Sequence, residues 1–364
     1  MIIKIIFYLY SILNLILLNT YLFLKKIISD RKIVFFYHPK ENLTKIHSYY
    51  IENFLSKFQN YDIFFGAKIL LFKYFFIKES LLRYIYNVDI FISNNVCNNF
   101  TNNSKKVYLH HDIYDTPLTE KKKEKEVAYR LKNYDFILLA SEKSKYLFEK
   151  IFANLKKRPK LLFLGFYPKL NFLLKEKIIK KKASRSIIIA PTDFKAFPDF
   201  TMQPYLKEII NELLKENYKV TYRPHPSNAK LKKVLDLVKK FDGFSNFKFD
   251  ISSNYFDVYS RSNLMITDIS GTAYTYTFLT KNPVFFYSRN EKKIQNSYYK
   301  KLNFFKDRSK IGKVFSNTSL LINFLKKNRN NKFKITFKKN IIDIYKKYFD
   351  NLNHNVLEML YDKK

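Results

Sequence analysis

The sequence predicts an α/β protein in which two doubly wound domains face a cleft, with an apolar helix ahead of them. Three observations carry this. The chain has 364 residues, 47% of them hydrophobic, which suits two cores rather than one. Short apolar runs alternate with helical patterns in two successive series, the mark of parallel sheets with right-handed crossovers. A basic stretch, KEKIIKKKASR at Lys175–Arg185, separates the two series. The expected division is 1–28 for the apolar helix, 29–180 and 184–340 for the two domains, and 341–364 for a closing helix.

The first element is IIFYLYSILNLILLNTYLFL at residues 5–24, uncharged and followed by Lys25, Lys26, Arg31 and Lys32. It is long enough to span about 30 Å. On a helical wheel Lys4, Ser11, Asn14, Asn19, Lys25 and Lys26 form one polar stripe. Two membrane modes follow: a helix lying in the interface with its lysines on anionic headgroups, or a single spanning anchor. Both place the body on the cytoplasmic face. No small-residue cleavage site is apparent.

In the first domain, strands are expected at Arg31–Tyr37, Tyr61–Phe65, Val88–Ser93, Lys106–His110, Asp135–Ala140 and Leu161–Gly165, with a helix near Ile46–Phe58. In the second, strands fall at Ser186–Ala190, Lys219–Arg223, Asn246–Ile251, Leu264–Thr267 and Pro283–Tyr287. The intervening helices cover Gln203–Glu216, Ala229–Phe241, Tyr255–Ser260 and Ala273–Leu279, and helices near Ser319–Lys326 and Ile341–Leu360 close the chain.

Net charge is +36, which favours anionic partners, although abundant Lys, Ile, Asn, Phe and Tyr with only 5 Gly and no Trp also read as compositional bias. No helix-turn-helix, zinc finger or RNA-recognition pattern accompanies the charge, so nucleic acid is not the expected partner. Cys97 is the only cysteine, which excludes an internal disulfide and a cysteine zinc site. Walker A, GxGxxG and HExxH patterns are missing, and no protein metal site is expected.

In doubly wound sheets, ligands bind beyond the carboxyl ends of strands, so polar residues just past a strand are the candidates. His110 and His111 end VYLHH, with Asp112 and Asp115 close behind. A histidine there can take a proton from an incoming hydroxyl. Arg223-Pro224-His225-Pro226 ends YKVTY: Arg223 can fork onto phosphate oxygens and His225 can donate to a phosphate or a leaving group. Asp268, Ser270, Gly271 and Thr272 lie between the NLMI strand and a helix. That turn supplies hydroxyls, close backbone approach and a helix N-terminus that favours an anion; Asp268 or Ser270 also reads as a plain helix cap.

These segments, in this order, resemble the CDP-glycerol:poly(glycerophosphate) glycerophosphotransferase family over roughly Lys106–Ser288. HHDIYDTPL at His110–Leu118 is similar to its W-H-G-T-P-L stretch. SEKSKYLF at Ser141–Phe148 and GFYPKLN at Gly165–Asn171 resemble its Ser-Glu and G-Y-P-R-N-D segments. Ala190-Pro191-Thr192, Arg223–Pro226 and SNLMITDISGT…KNPVFFYS at Ser262–Ser288 complete the set. The departures are His111-Asp112 in place of Gly after the histidine, Lys169 in place of Arg, and Gly271 in place of the second serine.

The resemblance implies a GT-B fold, two Rossmann-type domains with the acceptor on the first and the nucleotide donor on the second. It implies a transferase moving a phospho-polyol from a CDP-activated donor to a lipid-linked surface polymer at an anionic membrane surface. His110, His111 and His225 would be catalytic, with His110 preferred over His111 as base for its spacing to the strand. Arg223, Asp268, Ser270, Gly271 and Thr272 would hold the donor diphosphate, with Asp268 mainly orienting the turn. No cofactor is required by the sequence, although Mg2+ could accompany the diphosphate. A nucleotide-sugar glycosyltransferase shares the fold and is the alternative.

Overall fold

The computed structural model describes residues 2–38, 55, 61–67, 75–118, 123–175, 185–252, 255–329, 333–353 and 355–360. A helix, α1 (Ile2–Ile28), leads into a parallel sheet of β1 (Lys32–His38), β2 (Tyr61–Ala67), β3 (Phe75–Phe76), β4 (Ile90–Ser93), β5 (Lys105–Leu109), β6 (Phe136–Leu139) and β7 (Lys160–Phe163). The second parallel sheet contains β8 (Ser186–Ile189), β9 (Lys219–Tyr222), β10 (Phe247–Phe249), β11 (Leu264–Thr267), β12 (Val284–Tyr287) and β13 (Gly312–Phe315). Strand orders are β3-β2-β1-β4-β5-β6-β7 and β10-β9-β8-β11-β12-β13. Each sheet therefore reverses direction beside its first strand, at β1/β4 and at β8/β11, and opens a crevice at the carboxyl ends there.

The strands are apolar on both faces, as covered parallel strands must be. Val34, Phe35 and Phe36, like Ile187, Ile188 and Ile189, are all buried. The edge strand β3, only two residues long, and β13, which begins at Gly312, lie outside the sequence expectations. The helix expected near Ile46–Phe58 and the linker core at 176–184 fall outside the described residues, apart from Leu55.

The closing segment departs from expectation. Instead of one helix over Ile341–Leu360, a helix runs Phe333–Phe349, the chain turns, and a short helix covers Val356–Met359. The turn brings the chain back to the first sheet. Asn351 N–H donates to the Gly165 carbonyl at 3.1 Å and Asn353 N–H to the Leu164 carbonyl at 2.9 Å. Val356 and Leu360 are buried in the core beneath β1, β4 and β5. Gly165 has φ of +64°, and a Cβ there would sit 2.1 Å from the Asn351 carbonyl oxygen, so glycine is required on both counts.

The two halves share a core. Ile113, Tyr114, Leu147 and Tyr167 pack with Ile188, Tyr255, Tyr274 and Phe278. The Tyr114 and Tyr274 rings stack at 3.8 Å, 15° from parallel. Tyr114 Oη donates to Asp307 Oδ2 at 3.0 Å, and Lys143 Nζ pairs with the same oxygen at 2.7 Å. Asp115 accepts the amides of Asn303 and Phe304 at 2.7 and 2.6 Å.

Apart from the exposed Lys4, the polar stripe of α1 faces the protein, and Lys25 and Lys26, expected on headgroups in the interfacial mode, pair with carboxylates of the first domain. Ser11 Oγ accepts the Lys78 amide at 2.8 Å, and Asn19 accepts the Tyr86 amide at 3.1 Å while donating to the Tyr84 carbonyl at 2.8 Å. Lys26 pairs with Asp89 at 2.9 Å and Lys25 with Asp62 at 3.6 Å. The physical reason is that backbone groups at the edge of the first domain need partners, and these short polar side chains supply them.

Candidate active site

Where β5 ends, the chain turns out of the sheet between the two domains. His110, the first residue past the strand, is anchored by its amide, which donates to the Leu138 carbonyl at 2.9 Å. Its ring is buried and meets the Phe148 ring edge-on at 5.0 Å. Among the described residues, no hydrogen bond of normal geometry reaches either ring nitrogen. Burial pushes the imidazole down to about 3, although the Asp112 carboxylate and the Tyr114 backbone act in the opposite direction.

His111 is placed differently. Its side chain is 38% exposed, and its Nε2 lies 3.9 Å from Asp112 Oδ1. Its carbonyl accepts from Tyr167 Oη at 2.8 Å, which pins the turn to the loop after β7. A small pocket between these strand ends is lined by His110, His111, Ala140, Tyr167 and Lys169.

Lys169 follows the Gly165–Pro168 turn. It keeps some exposed surface, but its ammonium is desolvated and sits 4.6 Å from the centre of the Tyr255 ring. Burial lowers its pKa to about 8; Asp112 works against this drop and Arg223 adds to it. Lys169 thus stands between a carboxylate of the first domain and a guanidinium of the second.

Across the cleft, the turn after β11 lies at the second sheet's switch point. Asp268 is buried, and its carboxylate accepts the amides of Thr192 at 2.8 Å and Met202 at 2.9 Å. Burial raises it to about 6. With both oxygens engaged by backbone amides, Asp268 holds the turns together. Ser270 and Gly271 lead into the helix Thr272–Thr280, and Thr272 Oγ1 is hydrogen-bonded to Tyr259 Oη.

Gly271 has ordinary helical backbone angles, so its requirement comes from space. A Cβ there would lie 2.9 Å from Thr116 Oγ1 and 3.3 Å from Asp112 Oδ1. The histidine turn of one domain and the helix start of the other are therefore in van der Waals contact.

Arg223 ends β9, but its guanidinium is not a free fork. Nη1 pairs with Asp250 and Nη2 donates to the Ser252 carbonyl at 2.9 Å. It contributes positive charge from a fixed position. His225 Nδ1 is hydrogen-bonded to Ser227 Oγ, which donates to Asp193 Oδ2 at 2.9 Å. Asn228 also donates to Asp193, at 2.9 Å, and these hydrogen bonds with His225 nearby hold that carboxyl below its usual range even though burial opposes them.

The structure thus brings His111, Ser270, Gly271, Thr272 and Arg223 to one crevice, with His225 on the neighbouring turn and His110 behind it. Asp112, Lys169, Asp193 and Tyr259 join them. Their sequence signal was position alone, since each follows a strand or lines the helix beside one. Among the described residues, no three His, Cys, Asp or Glu side chains gather as a metal site.

Two parallel doubly wound domains facing each other across a cleft define the GT-B fold. The family model for CDP-Glycerol:Poly(glycerophosphate) glycerophosphotransferase matches residues 24–361, and the chain belongs to that family. The minor teichoic acid biosynthesis protein GgaB of Bacillus subtilis (strain 168) is 29% identical over 155 residues, 41% of this chain and 16% of GgaB. The teichoic acid glycerol-phosphate primase of the same organism is 28% identical over 178 residues, 45% of this chain and 42% of the primase. The matched stretches thus span less than half of either relative. Among solved structures, the wall teichoic acid polymerase TagF, as a His-to-Asn variant soaked with CDPG, superposes with a TM-score of 0.58 at 19% identity. That superposition covers 99% of this chain and 96% of the TagF chain and shows the shared fold.

Proposed function

We propose that the protein transfers glycerol phosphate, or a similar phospho-polyol, from a CDP-activated donor to a hydroxyl of a lipid-linked surface polymer. The observation that carries this reading is the contact of Gly271 with Asp112 and Thr116, which sets a proton acceptor and an anion-binding helix start against each other. In this proposal His111, rather than His110, is the base. It is accessible and braced by Asp112, whereas His110 is a buried ring behind it.

The acceptor hydroxyl gives its proton to the His111 imidazole as its oxygen attacks the distal phosphorus. The bond from that phosphorus to the bridging oxygen breaks, and CMP leaves with the electron pair. Charge shifting to the leaving phosphate faces Lys169, Arg223 and the helix start at Ser270–Thr272, with His225 nearby. A magnesium ion carried by the diphosphate would add to the same stabilisation. Lys169 takes the place of the family's arginine as a compact point charge instead of a planar fork.

The test is a donor screen with purified protein, detergent and a lipid-linked acceptor extract. CMP release from CDP-glycerol or CDP-ribitol is expected. UDP release from a UDP-sugar, without CMP release from either CDP-polyol, would replace this reading with glycosyl transfer.

A further inference from the structure

The loops that follow β8 and β9 meet at the carboxyl edge of the second sheet, where those two strands pair. His225 stands there between Pro224 and Pro226, which stiffen its turn. The Asn228 amide closes that turn on the His225 carbonyl at 2.8 Å. Asp193, on the loop after β8, fastens the two loops together. Its Oδ1 accepts from the Asn228 side chain and from the Lys195 amide, each at 2.9 Å, and the buried Asn228 accepts the Phe194 amide at 3.1 Å. Its Oδ2 accepts from Ser227 Oγ at 2.9 Å. A hydroxyl has one proton to give. With that proton directed at the carboxylate, Ser227 Oγ accepts from His225 Nδ1, which must then carry a hydrogen. The Ser227 amide reaches Nδ1 only at 3.4 Å, and the charge-assisted bond to the carboxylate is the stronger of the two.

We propose that Asp193 is a positioning residue for His225: acting through Ser227, it keeps Nδ1 protonated and favours the imidazolium, so that Nε2–H donates to the diphosphate of the nucleotide donor. This role rests on the phosphotransferase reading of the cleft and adds to it what sets the state of the second-domain histidine. Asp193 Oδ2 lies 4.0 Å from His225 Nδ1, close enough for its negative charge to favour a charged ring. Of the other charged side chains on these two loops, Asp199 pairs with Lys293 and Arg223 with Asp250, while Lys195 and Lys230 are exposed. Asp193 is thus the carboxylate of these loops that faces the ring. As the bond to the departing CMP breaks, negative charge grows on its phosphate, and a hydrogen bond from a cationic ring strengthens with it. The ring keeps its proton, so no bond beyond those of the transfer itself forms or breaks.

The chain has six histidines, few enough for the His225 signals to be assigned by their loss in His225→Gln. Long-range proton–nitrogen NMR spectra of the full chain, labelled on histidine, report which ring nitrogen carries the proton and the pH at which each ring titrates. Neutral His225 is expected as the Nδ1–H tautomer. Asp193→Asn should lower its titration by about one pH unit, and kcat by about tenfold with KM for the donor little changed. Ser227→Ala should do the same while the bonds from Asp193 to Asn228 and Lys195 stay in place, and Ser227→Thr, which keeps the hydroxyl, should restore the wild-type titration and rate. An Nε2–H tautomer in the wild type, or a titration that Asp193→Asn and Ser227→Ala leave unmoved, would overturn the assignment. So would an unchanged kcat in both variants. The spectra need neither donor nor acceptor, and turnover is read with whichever nucleotide donor is active in the screen above. Failure of the phospho-polyol reading and failure of the Asp193 role therefore give different results.

Discussion

At the scale of single residues, two adjacent histidines have been given opposite environments. His110 is packed on Phe148, and burial pushes its imidazole down to about 3; in the proposed reading it forms part of the wall. His111 reaches the cleft beside Asp112. His111→Ala should lower kcat by about 10²–10⁴-fold with an unchanged melting temperature. His110→Ala should chiefly lower the melting temperature, since it opens a cavity beside Phe148. Steady-state rates and thermal melts on the pair separate the two roles.

Lys169 adds a pH dependence at the same scale. Its ammonium is charged below a pKa of about 8 and loses its proton above it. Since kcat/KM reports the free enzyme, its value for the donor should fall as pH rises past about 8, by roughly tenfold if one charged hydrogen bond is lost. Lys169→Arg should remove that alkaline fall, because a guanidinium stays protonated there. The sequence showed Lys169 only as a departure from the family's arginine. Its lowered pKa comes first from burial and then from Arg223, more than fifty residues away in the chain, and no local pattern could have shown it.

At the scale of elements, the site is the meeting of two turns. Strand positions were legible because apolar runs such as IFIS at Ile90–Ser93 and LMIT at Leu264–Thr267 are short and bounded by polar turns. The residues just past them were therefore legible as candidates too. How each is used was not. Asp268 reads the same in sequence whether it binds a ligand or, as here, accepts two amides from another loop. Arg223 likewise meets Asp250 only once β9 and β10 pair. The stripe on α1 was visible as a period, but a polar face serves a sheet edge as well as it serves water.

The same scale supplies a geometric prediction. Gly271→Ala places a methyl 2.9 Å from Thr116 Oγ1, which must move and push the histidine turn away from the helix start. Turnover should drop while the fold persists. Thr116→Ala in the same chain removes the obstructing hydroxyl and should restore part of the rate, an interaction read directly from a double-mutant cycle.

At the scale of the whole molecule, the two domains are fastened at one side of the cleft. Tyr114 and Tyr274 stack in a core that includes residues of both sheets, and Asp115 and Asp307 bond across it. The returning C-terminal segment adds Val356 and Leu360 to the first domain's core. Unfolding should accordingly be a single calorimetric transition, and Tyr114→Ala should lower its midpoint as a whole, by about 3–5 kcal/mol in stability, rather than split it. Short edge strands and the break after Phe349 were the least legible parts of this architecture. Two-residue β3 has no period to read, and the turn at 350–353 is fixed by backbone bonds to Leu164 and Gly165 in the distant first domain.

The most direct test of the central claim is the mass of a short lipid-linked acceptor after incubation with CDP-glycerol and the purified protein. Increments of one glycerol phosphate each, absent with His111→Ala, are the predicted result. An acceptor that gains no phosphate from CDP-glycerol or CDP-ribitol, but gains a hexose from a UDP-sugar, would contradict the account.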